Sequence, residues 1–375
     1  MKQLRPVLAL VLALALMCTG CGSAAPAAPS APLTVPETPG LYYCESLLEG
    51  EARTLYHLIL DAVSAMTPSV VIEAAEHPDT DAQQLLALTD AVRRDHPELF
   101  WLEQAAQVTT TTRGDVPTRW ELAFQYAFRP DQLDEARQQV EAAAAECLDG
   151  IDPGASEYDK VLAVYEWVVR RTEYAPAREN DQTLYSALVH RQAVCAGYAS
   201  AVQYLLHRLG IPCARISGTA RGGPHAWNLV FVEGEYYYLD ATWGDPVFTG
   251  EDASDPDYVD YNYFCVTTEQ LTRTHTLDPE QTVPECTATA CNYYVREGLY
   301  LEAYDPEQLV QLIRRALEQG EDPMMRFSTP EVFDDAVYRL FEKSEVFGLL
   351  EKAGLSAGEL SYLTDRDSLT VTLLV

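Results

Sequence analysis

Three residues in the middle of the chain, Cys195, His225 and Asp240, are of the types that nucleophilic catalysis combines. A thiolate attacks a carbonyl carbon, an imidazole carries the proton, and a carboxylate fixes the tautomer of the imidazole. Each residue also has an ordinary alternative. A buried cysteine is usually a small hydrophobic residue, a lone strand histidine is more often structural, and an aspartate after several tyrosines can simply end a strand. Their combination predicts a catalytic triad.

The cysteine is expected at the start of a buried helix. Residues 193–212 read A-V-C-A-G-Y-A-S-A-V-Q-Y-L-L-H-R-L-G-I-P, with an apolar stripe at helical spacing. Gly210 is a natural C-terminal stop, and Pro212 prevents continuation of the helix. Free N–H groups and the positive end of the helix dipole stabilise a thiolate at Cys195, and the same N–H groups could receive an oxyanion.

The histidine and the aspartate are expected on two strands of one hairpin. Residues 224–232 and 235–242 are rich in strand-forming residues and flank the turn signal Glu233-Gly234. A loop centred on that pair places Asp240 opposite Trp227, with His225 one alternation further along the same face. Residues on this diagonal lie roughly 7–8 Å apart, within reach of an imidazole and a carboxylate. The pattern predicts a hydrogen bond between His225 and Asp240.

Supporting residues are less specific. Gln192 is a candidate hydrogen-bond donor to the oxyanion, although it could equally face solvent. Trp227 is a candidate wall that excludes water from the site, with core packing as the equal alternative. Tyr198 and Trp243 are interpreted as packing residues. Apart from C-T-G-C at residues 18–21, no C-x-x-C occurs, and H-E-x-x-H is absent, so no metal site is predicted.

Three segments resemble the core motifs of the bacterial transglutaminase-like family: V-C-A-G-Y-A, P-H-A-W-N-L-V and Y-Y-Y-L-D-A-T-W-G-D-P. The family's Cys, His and Asp match Cys195, His225 and Asp240. The resemblance covers roughly residues 155–268, and D-H-P-E-L-F-W at 95–101 resembles the N-terminal part of secreted members. Family proteins often have an aspartate where Gly244 stands. The resemblance implies an α+β, papain-like core in which a helix carrying the cysteine packs on an antiparallel sheet. It further implies no cofactor, and either hydrolysis or acyl transfer.

The N-terminus is typical of an export signal. Two basic residues precede an apolar run at 6–17, which is too short for a comfortable transmembrane helix. C-T-G-C at 18–21 resembles a bacterial lipoprotein signal, which implies removal of residues 1–20 and lipidation of Cys21. An ordinary cleaved signal peptide is the alternative. The lipoprotein interpretation predicts an extracytoplasmic protein that a lipid anchors to the bacterial cell membrane.

Composition divides the remainder into regions. Residues 21–40 are rich in proline and alanine and predict an extended tether. N- and C-terminal α+β regions, residues 41–153 and 269–375, are expected on either side of a catalytic core at 154–268. Helices are predicted near residues 51–65, 82–96, 130–147 (solvent-facing), 158–171, 306–319 and 330–342, and strands near 107–112, 119–128 and 369–375.

The net charge limits the classes of binding partner, and the cysteine count limits the possible disulfides. The 375 residues carry a formal charge of −31, from 26 basic and 57 acidic side chains, which disfavours nucleic acid and electrostatic docking to membranes. Of the nine cysteines, six remain after Cys18, Cys21 and Cys195 are assigned, and their pairing stays open.

These features predict a cell-surface thiol enzyme that acts on amide bonds of a protein or peptide, with cell-wall peptide among the candidates. The alternative is a catalytically silent surface module that binds peptide or polysaccharide. A solute-binding protein is disfavoured because two similar α/β halves are absent from the sequence.

Overall fold

The computed structural model describes residues 35–103, 105–175, 181–245 and 258–375. The predicted signal peptide, Cys21 and most of the predicted tether lie outside the described residues. Residues 35–40, the end of the tether, have no regular secondary structure. The carbonyl of Pro36 accepts a hydrogen bond of 2.9 Å from the hydroxyl of Tyr236.

The N-terminal region packs helices against a small antiparallel sheet with the strand order β1-β3-β2. Its elements are α1 (Tyr43–Ser46), α2 (Gly50–Ser64), β1 (Ser69–Glu73), α3 (Ala82–Asp95), β2 (Gln107–Arg113), β3 (Val116–Ala123) and α4 (Pro130–Leu148). The predicted helices are confirmed, but α4 is not simply solvent-facing, because Leu133, Ala136 and Val140 are buried on one side of it. Strand β3 ends at Ala123, before the predicted end at residue 128. Beyond it, Tyr126 forms an isolated bridge with Leu102.

The middle region builds the helix and the sheet that the three candidate catalytic residues require. Its elements are α5 (Glu157–Arg171), β4 (Glu173–Tyr174), a π-helical turn (Ser186–His190), β5 (Gln192–Ala193), α6 (Cys195–Arg208), β6 (Cys213–Ala220), β7 (Gly223–Val232), β8 (Glu235–Leu239), α7 (Thr268–Leu271) and β9 (His275–Leu277). The four-stranded sheet has the order β8-β7-β6-β9, with every neighbouring pair antiparallel. Strand β9 extends this sheet beyond residue 268.

The C-terminal region is a second α+β layer. Its elements are α8 (Tyr293–Arg296), β10 (Tyr300–Leu301), α9 (Pro306–Gln319), β11 (Met324–Phe327), α10 (Pro330–Val337), a π-helical turn (Tyr338–Glu342), α11 (Glu345–Ala353), β12 (Ser361–Asp365) and β13 (Thr370–Leu374). Its sheet has the order β10-β11-β13-β12. Helix α9 matches the predicted boundaries because Asp305 caps its first turn and Gly320 ends it in a left-handed conformation.

One continuous hydrophobic core joins the three regions. It contains Tyr56 from the N-terminal region, Tyr165 from the middle region and Phe327 from the C-terminal region, all almost completely buried. The fold class is therefore α+β, as predicted.

The seven cysteines that the structure describes are all free thiols. Within the described residues, no helix combines the length and the apolar character needed to cross a membrane.

Candidate active site

Cys195 is the first residue of α6, as the sequence predicts. The preceding residue, Val194, is extended, and no side chain caps the helix. Cys195 is half-buried, whereas the other cysteines that the structure describes are buried. A partly accessible sulfur at a helix N-terminus is placed to act as a nucleophile.

The hairpin of β7 and β8 has the predicted register. Val232 pairs with Glu235, and the pairing continues to Asn228 opposite Leu239. Asp240 follows the last residue of β8, and its N–H donates to the carbonyl of Tyr263 at 3.0 Å. The predicted hydrogen bond is present: Nε2 of His225 lies 2.7 Å from Oδ2 of Asp240.

The carboxylate of Asp240 is completely buried and accepts hydrogen bonds at both oxygens. Oδ1 accepts from the N–H groups of Thr242 at 2.9 Å and Trp243 at 3.2 Å. Burial alone would raise the pKa of Asp240, but the charge of His225 and hydrogen bonds from His225 and His275 outweigh burial and hold the pKa well below its usual range. Asp240 is thus a carboxylate at neutral pH.

The imidazole of His225 lies between that carboxylate and Cys195. Burial favours the neutral ring, but the charge and hydrogen bond of Asp240, with a hydrogen bond to the Cys195 side chain, raise the pKa of His225 to about 10. The protonated ring is therefore the stable form beside the sulfur. The structure brings all three predicted catalytic residues together in the order thiol, imidazole, carboxylate.

A second histidine, His275, was not predicted from the sequence. Its side chain is completely buried, and its Nε2 lies 3.1 Å from Oδ2 of Asp240, the oxygen that His225 also contacts. His275 opens the three-residue strand β9, which pairs with β6. A lone histidine in a short strand carries no spacing signal, so only the pairing of β9 with β6 reveals it.

Aromatic rings enclose the two imidazoles. Trp227 is fully buried and stacks on His225 with a centroid separation of 6.0 Å and an interplanar angle of 26°. Trp243 contacts His225 at 6.0 Å and His275 at 4.6 Å. Both tryptophans therefore contact the imidazoles. Trp227 also belongs to a buried hydrophobic cluster, as its core-packing alternative describes, and its role as a wall against water stays a prediction.

Gly218 makes room for this arrangement. It lies on β6 opposite His225 on one side and Leu277 on the other. A Cβ atom at this position would come within 2.8 Å of Cη2 of Trp227 and would clash with the backbone carbonyl of Thr276. A residue without a side chain is needed here for Trp227 and β9 to approach.

The other predicted supporting residue, Gln192, is engaged elsewhere. Its Nε2 donates to Oε2 of Glu173 at 2.7 Å. Tyr198 and Asp245 form a separate pair near the site, with 2.6 Å between the Tyr198 hydroxyl and Oδ2 of Asp245. Gln192 remains only a predicted oxyanion donor, and Asp245 hydrogen-bonds to Tyr198.

The departure from the family pattern at Gly244 has a physical reason. A Cβ atom on Gly244 would lie 2.7 Å from Cζ of Tyr165 and would overlap its hydroxyl oxygen. The ring of Tyr165 thus occupies the space that a longer residue would need.

His225, Asp240 and His275 also form a set of potential metal ligands, with their ligand atoms within 4.8 Å of one another. Both imidazoles already donate to one carboxylate oxygen, at 2.7 and 3.1 Å. Hydrogen bonding accounts for this geometry, and we interpret the cluster as a hydrogen-bond network.

A comparison with family models matches residues 144–241 to the transglutaminase-like superfamily. The chain contains a transglutaminase-like domain. The matched residues include Cys195, His225 and Asp240, whereas His275 lies outside them.

Relatives of the transglutaminase-like domain are distant. Human kyphoscoliosis peptidase is 26% identical over 113 residues, which cover 26% of this chain and 17% of the human protein. The mouse protein is 26% identical over 134 residues, covering 30% of this chain and 20% of its own length. The chain thus spans about a fifth or less of the length of these curated relatives.

Two solved structures are similar at low identity. The periplasmic domain of TgpA from Pseudomonas aeruginosa is 18% identical, with 37% of this chain and 62% of that chain covered and a TM-score of 0.22. A structure described as a TGase is 15% identical, with 51% and 55% covered and a TM-score of 0.28. At these TM-scores the similarities carry no argument about activity.

Proposed function

We propose that this protein is a cell-surface thiol enzyme that cleaves or transfers acyl groups at amide bonds. The observation that carries the proposal is the Cys195–His225–Asp240 arrangement, with 2.7 Å between His225 and Asp240 and a half-buried sulfur on the other side of the imidazole. A binding module has no need for this combination of residues, because its groove does not require an activated nucleophile.

The chemistry runs in two halves. The thiolate of Cys195 attacks the amide carbon, and the electrons of the C=O bond move to oxygen. The N–H groups at the start of α6 would stabilise this oxyanion. His225 then donates its Nδ1 proton to the departing amine as the C–N bond breaks, which leaves a thioester on Cys195.

In the second half, water or an amine attacks the thioester while the neutral His225 accepts a proton from the attacking group. The C–S bond breaks, the thiolate returns, and an acid or a new amide is released. Asp240 stays ionised throughout and fixes the tautomer of His225 with Nε2 protonated. Water gives a protease or amidase, and an amine gives a transamidase.

The proposed substrate is a protein or peptide, with cell-wall peptide among the candidates. We also propose that Cys21 carries a lipid that holds the protein on the outer side of the bacterial cell membrane. Residues 21–40 would then separate the catalytic domain from the bilayer.

The test is capture of the acyl group. The full chain is mixed with an activated peptide ester, quenched in acid and mapped by mass spectrometry. An acyl adduct on Cys195 that disappears in Cys195→Ala, but not in the buried-thiol control Cys147→Ala, supports the proposal. Peptide binding without any adduct or turnover would instead indicate the silent module.

A further inference from the structure

His275 makes direct contact with the carboxylate of the triad. Its Nε2 lies 3.1 Å from Oδ2 of Asp240, and its side chain is completely buried. Strand β9 supplies it from outside the matched family residues 144–241. Because both imidazoles contact Oδ2 of Asp240, His275 can influence the orientation in which the carboxylate holds His225.

The carboxylate of Asp240 has four hydrogen-bond donors around it. Two backbone N–H groups approach Oδ1, from Thr242 and Trp243, and two imidazoles approach Oδ2. A carboxylate offers about four acceptor positions, so this set fills them. Among the described residues, His225 would be the one remaining donor to Oδ2 without His275, and it is the residue that Asp240 has to orient.

The tautomer of His275 follows from its neighbours. Because an ionised carboxylate only accepts, Nε2 must carry the hydrogen. Nδ1 lies 2.8 Å from Oγ1 of Thr274, which lies 2.7 Å from the hydroxyl of Tyr263. A chain of hydrogen bonds thus runs from Tyr263 through Thr274 and His275 to Asp240, and the Thr274 hydroxyl also lies 3.5 Å from the carbonyl oxygen of Leu271. In this arrangement His275 adds a donor to Asp240 through its Nε2–H group.

The surroundings of the ring restrict its movement. Trp227 lies 5.1 Å from it in an edge-on arrangement, Trp243 lies at 4.6 Å and Tyr263 at 5.1 Å. Among the described residues, the titratable groups around Asp240 and His275 include Cys195, His225, Tyr263 and Tyr165, whose hydroxyl lies 3.5 Å from the backbone carbonyl oxygen of Asp240. Arg221 lies over the indole of Trp243 at 4.8 Å, and Asp365 and Asp367 act on Tyr263. A phenylalanine at position 275 would keep the aromatic packing and remove only the polar contacts.

We propose that His275 is a positioning residue: its Nε2–H anchors Oδ2 of Asp240, so that the carboxylate holds His225 in line with the Cys195 sulfur. This inference rests on the proposed function of the triad. It assigns His275 no contact with substrate and no proton to transfer. Its effect is to keep the imidazole of His225 beside the sulfur of Cys195.

The experiment measures the rate of iodoacetamide alkylation at Cys195 by peptide mapping of the full chain. The readout is the ratio of the rate near pH 6 to that near pH 9, since an unassisted thiol is largely protonated at the first pH and largely ionised at the second. This ratio reports on the imidazolium, whereas a general loss of structure affects both rates.

For His275→Phe we expect the ratio to fall about tenfold, equivalent to about 1.4 kcal/mol. His275→Gln keeps an N–H donor and should stay within about threefold of the wild type. His207→Phe is the matched control, because Nε2 of His207 bonds to the carbonyl of Cys213 at 2.8 Å at the far end of α6. It should leave the ratio unchanged.

Thr274→Val provides a second variant if His275→Phe does not fold. It removes the hydroxyl at Nδ1 and should lower the ratio in the same direction. His225→Ala separates the two hypotheses. If it leaves Cys195 reactivity unchanged, the triad itself is wrong. If His225→Ala lowers the ratio of the rate near pH 6 to the rate near pH 9 while His275→Phe leaves that ratio at the wild-type value, the role of His275 is overturned. Thr274→Val takes the place of His275→Phe in this comparison if His275→Phe does not fold.

Discussion

Nε2 of His225 lies 2.7 Å from Oδ2 of Asp240, although the two residues are 15 positions apart in the chain. The turn at Glu233 and Gly234 brings them together by setting the register of β7 against β8. The same contact couples the charges of the two side chains: it raises the pKa of His225 and lowers the pKa of Asp240. Catalysis, thiol reactivity and stability should therefore all respond to changes in this pair.

Replacing the acid should impair turnover without abolishing it. Asp240→Asn keeps the size of the side chain but removes the charge and the preference for the correct tautomer of His225, so kcat should fall by up to ~10⁴-fold, as in serine triads. Turnover of an activated ester or amide reporter measures the effect. Asp245→Asn is the control, since Asp245 bonds to Tyr198. Unchanged turnover in Asp240→Asn would remove Asp240 from the triad and make Asp245 the next acid to examine.

The triad residues should behave as one unit. Cys195→Ala removes the nucleophile, so the double variant Cys195→Ala/Asp240→Asn should be no worse than Cys195→Ala alone. Reporter turnover in the three variants tests this non-additivity. Further loss in the double variant would show that Asp240 acts outside the triad.

Cys195 should react with iodoacetamide faster than any other described cysteine near pH 6. An ordinary thiol is only about one part in several hundred thiolate at that pH. The alternatives are worse nucleophiles, because burial raises the pKa of Cys147 to about 12 and that of Cys291 to about 11. Peptide mapping after short exposures gives the order of labelling. First labelling at Cys213 or Cys265 would contradict the assignment.

The free energy of unfolding should depend on pH through His225 and Asp240. Because the folded pKa of His225, about 10, lies above its unfolded value, its contribution is complete below about pH 6.5 and is lost as the pH rises through about 10. The pKa of Asp240 is lowered on folding, so its contribution is present above about pH 4 and is lost as the pH falls through its folded pKa. The difference in unfolding free energy between wild type and Asp240→Asn, from urea titrations, should be largest between these limits. If the difference in unfolding free energy between the wild type and Asp240→Asn does not decline from neutral to alkaline pH, His225 and Asp240 do not form a charged pair.

Gly218→Ala should damage both stability and activity. The added methyl group would press on Trp227 and on the carbonyl of Thr276, at a cost of about 1–3 kcal/mol for overpacking. Gly348→Ala is the control, because that position in α11 has no neighbouring atom within 4 Å. Alanine there should stabilise the helix by up to about 1 kcal/mol. Thermal unfolding and reporter turnover should separate the two variants, and equal behaviour would contradict the close packing at Gly218.

Membrane attachment should depend on Cys21. Cys21→Ser removes the thiol that would carry the lipid, so the protein should move from the membrane fraction to the soluble fraction of cells. Ser23→Ala, a change two positions later, should leave the fractionation unaltered. Cys21→Ser that stays with the membrane would exclude lipid anchoring at this cysteine.

Local sequence determined the parts of the site that depend on short-range rules. The apolar stripe and the stop signals of α6 placed Cys195 at a helix start, and the turn signal at Glu233-Gly234 set the register that joins His225 to Asp240. Both predictions needed only helix periodicity, strand alternation and turn chemistry, which act over a few residues. The α+β class of the core was implied by the resemblance of three segments to the transglutaminase-like family.

Tertiary structure decided which distant groups meet the triad. His275 reaches Asp240 because β9 pairs with β6, and Gly218 is needed because Trp227 and β9 crowd the same point. Likewise, Tyr165 from α5 fills the space beside Gly244. No periodicity links these residues, since their proximity depends on the packing of elements far apart in the chain. The three regions also share one hydrophobic cluster, because apolar faces from distant parts of the chain pack against one another.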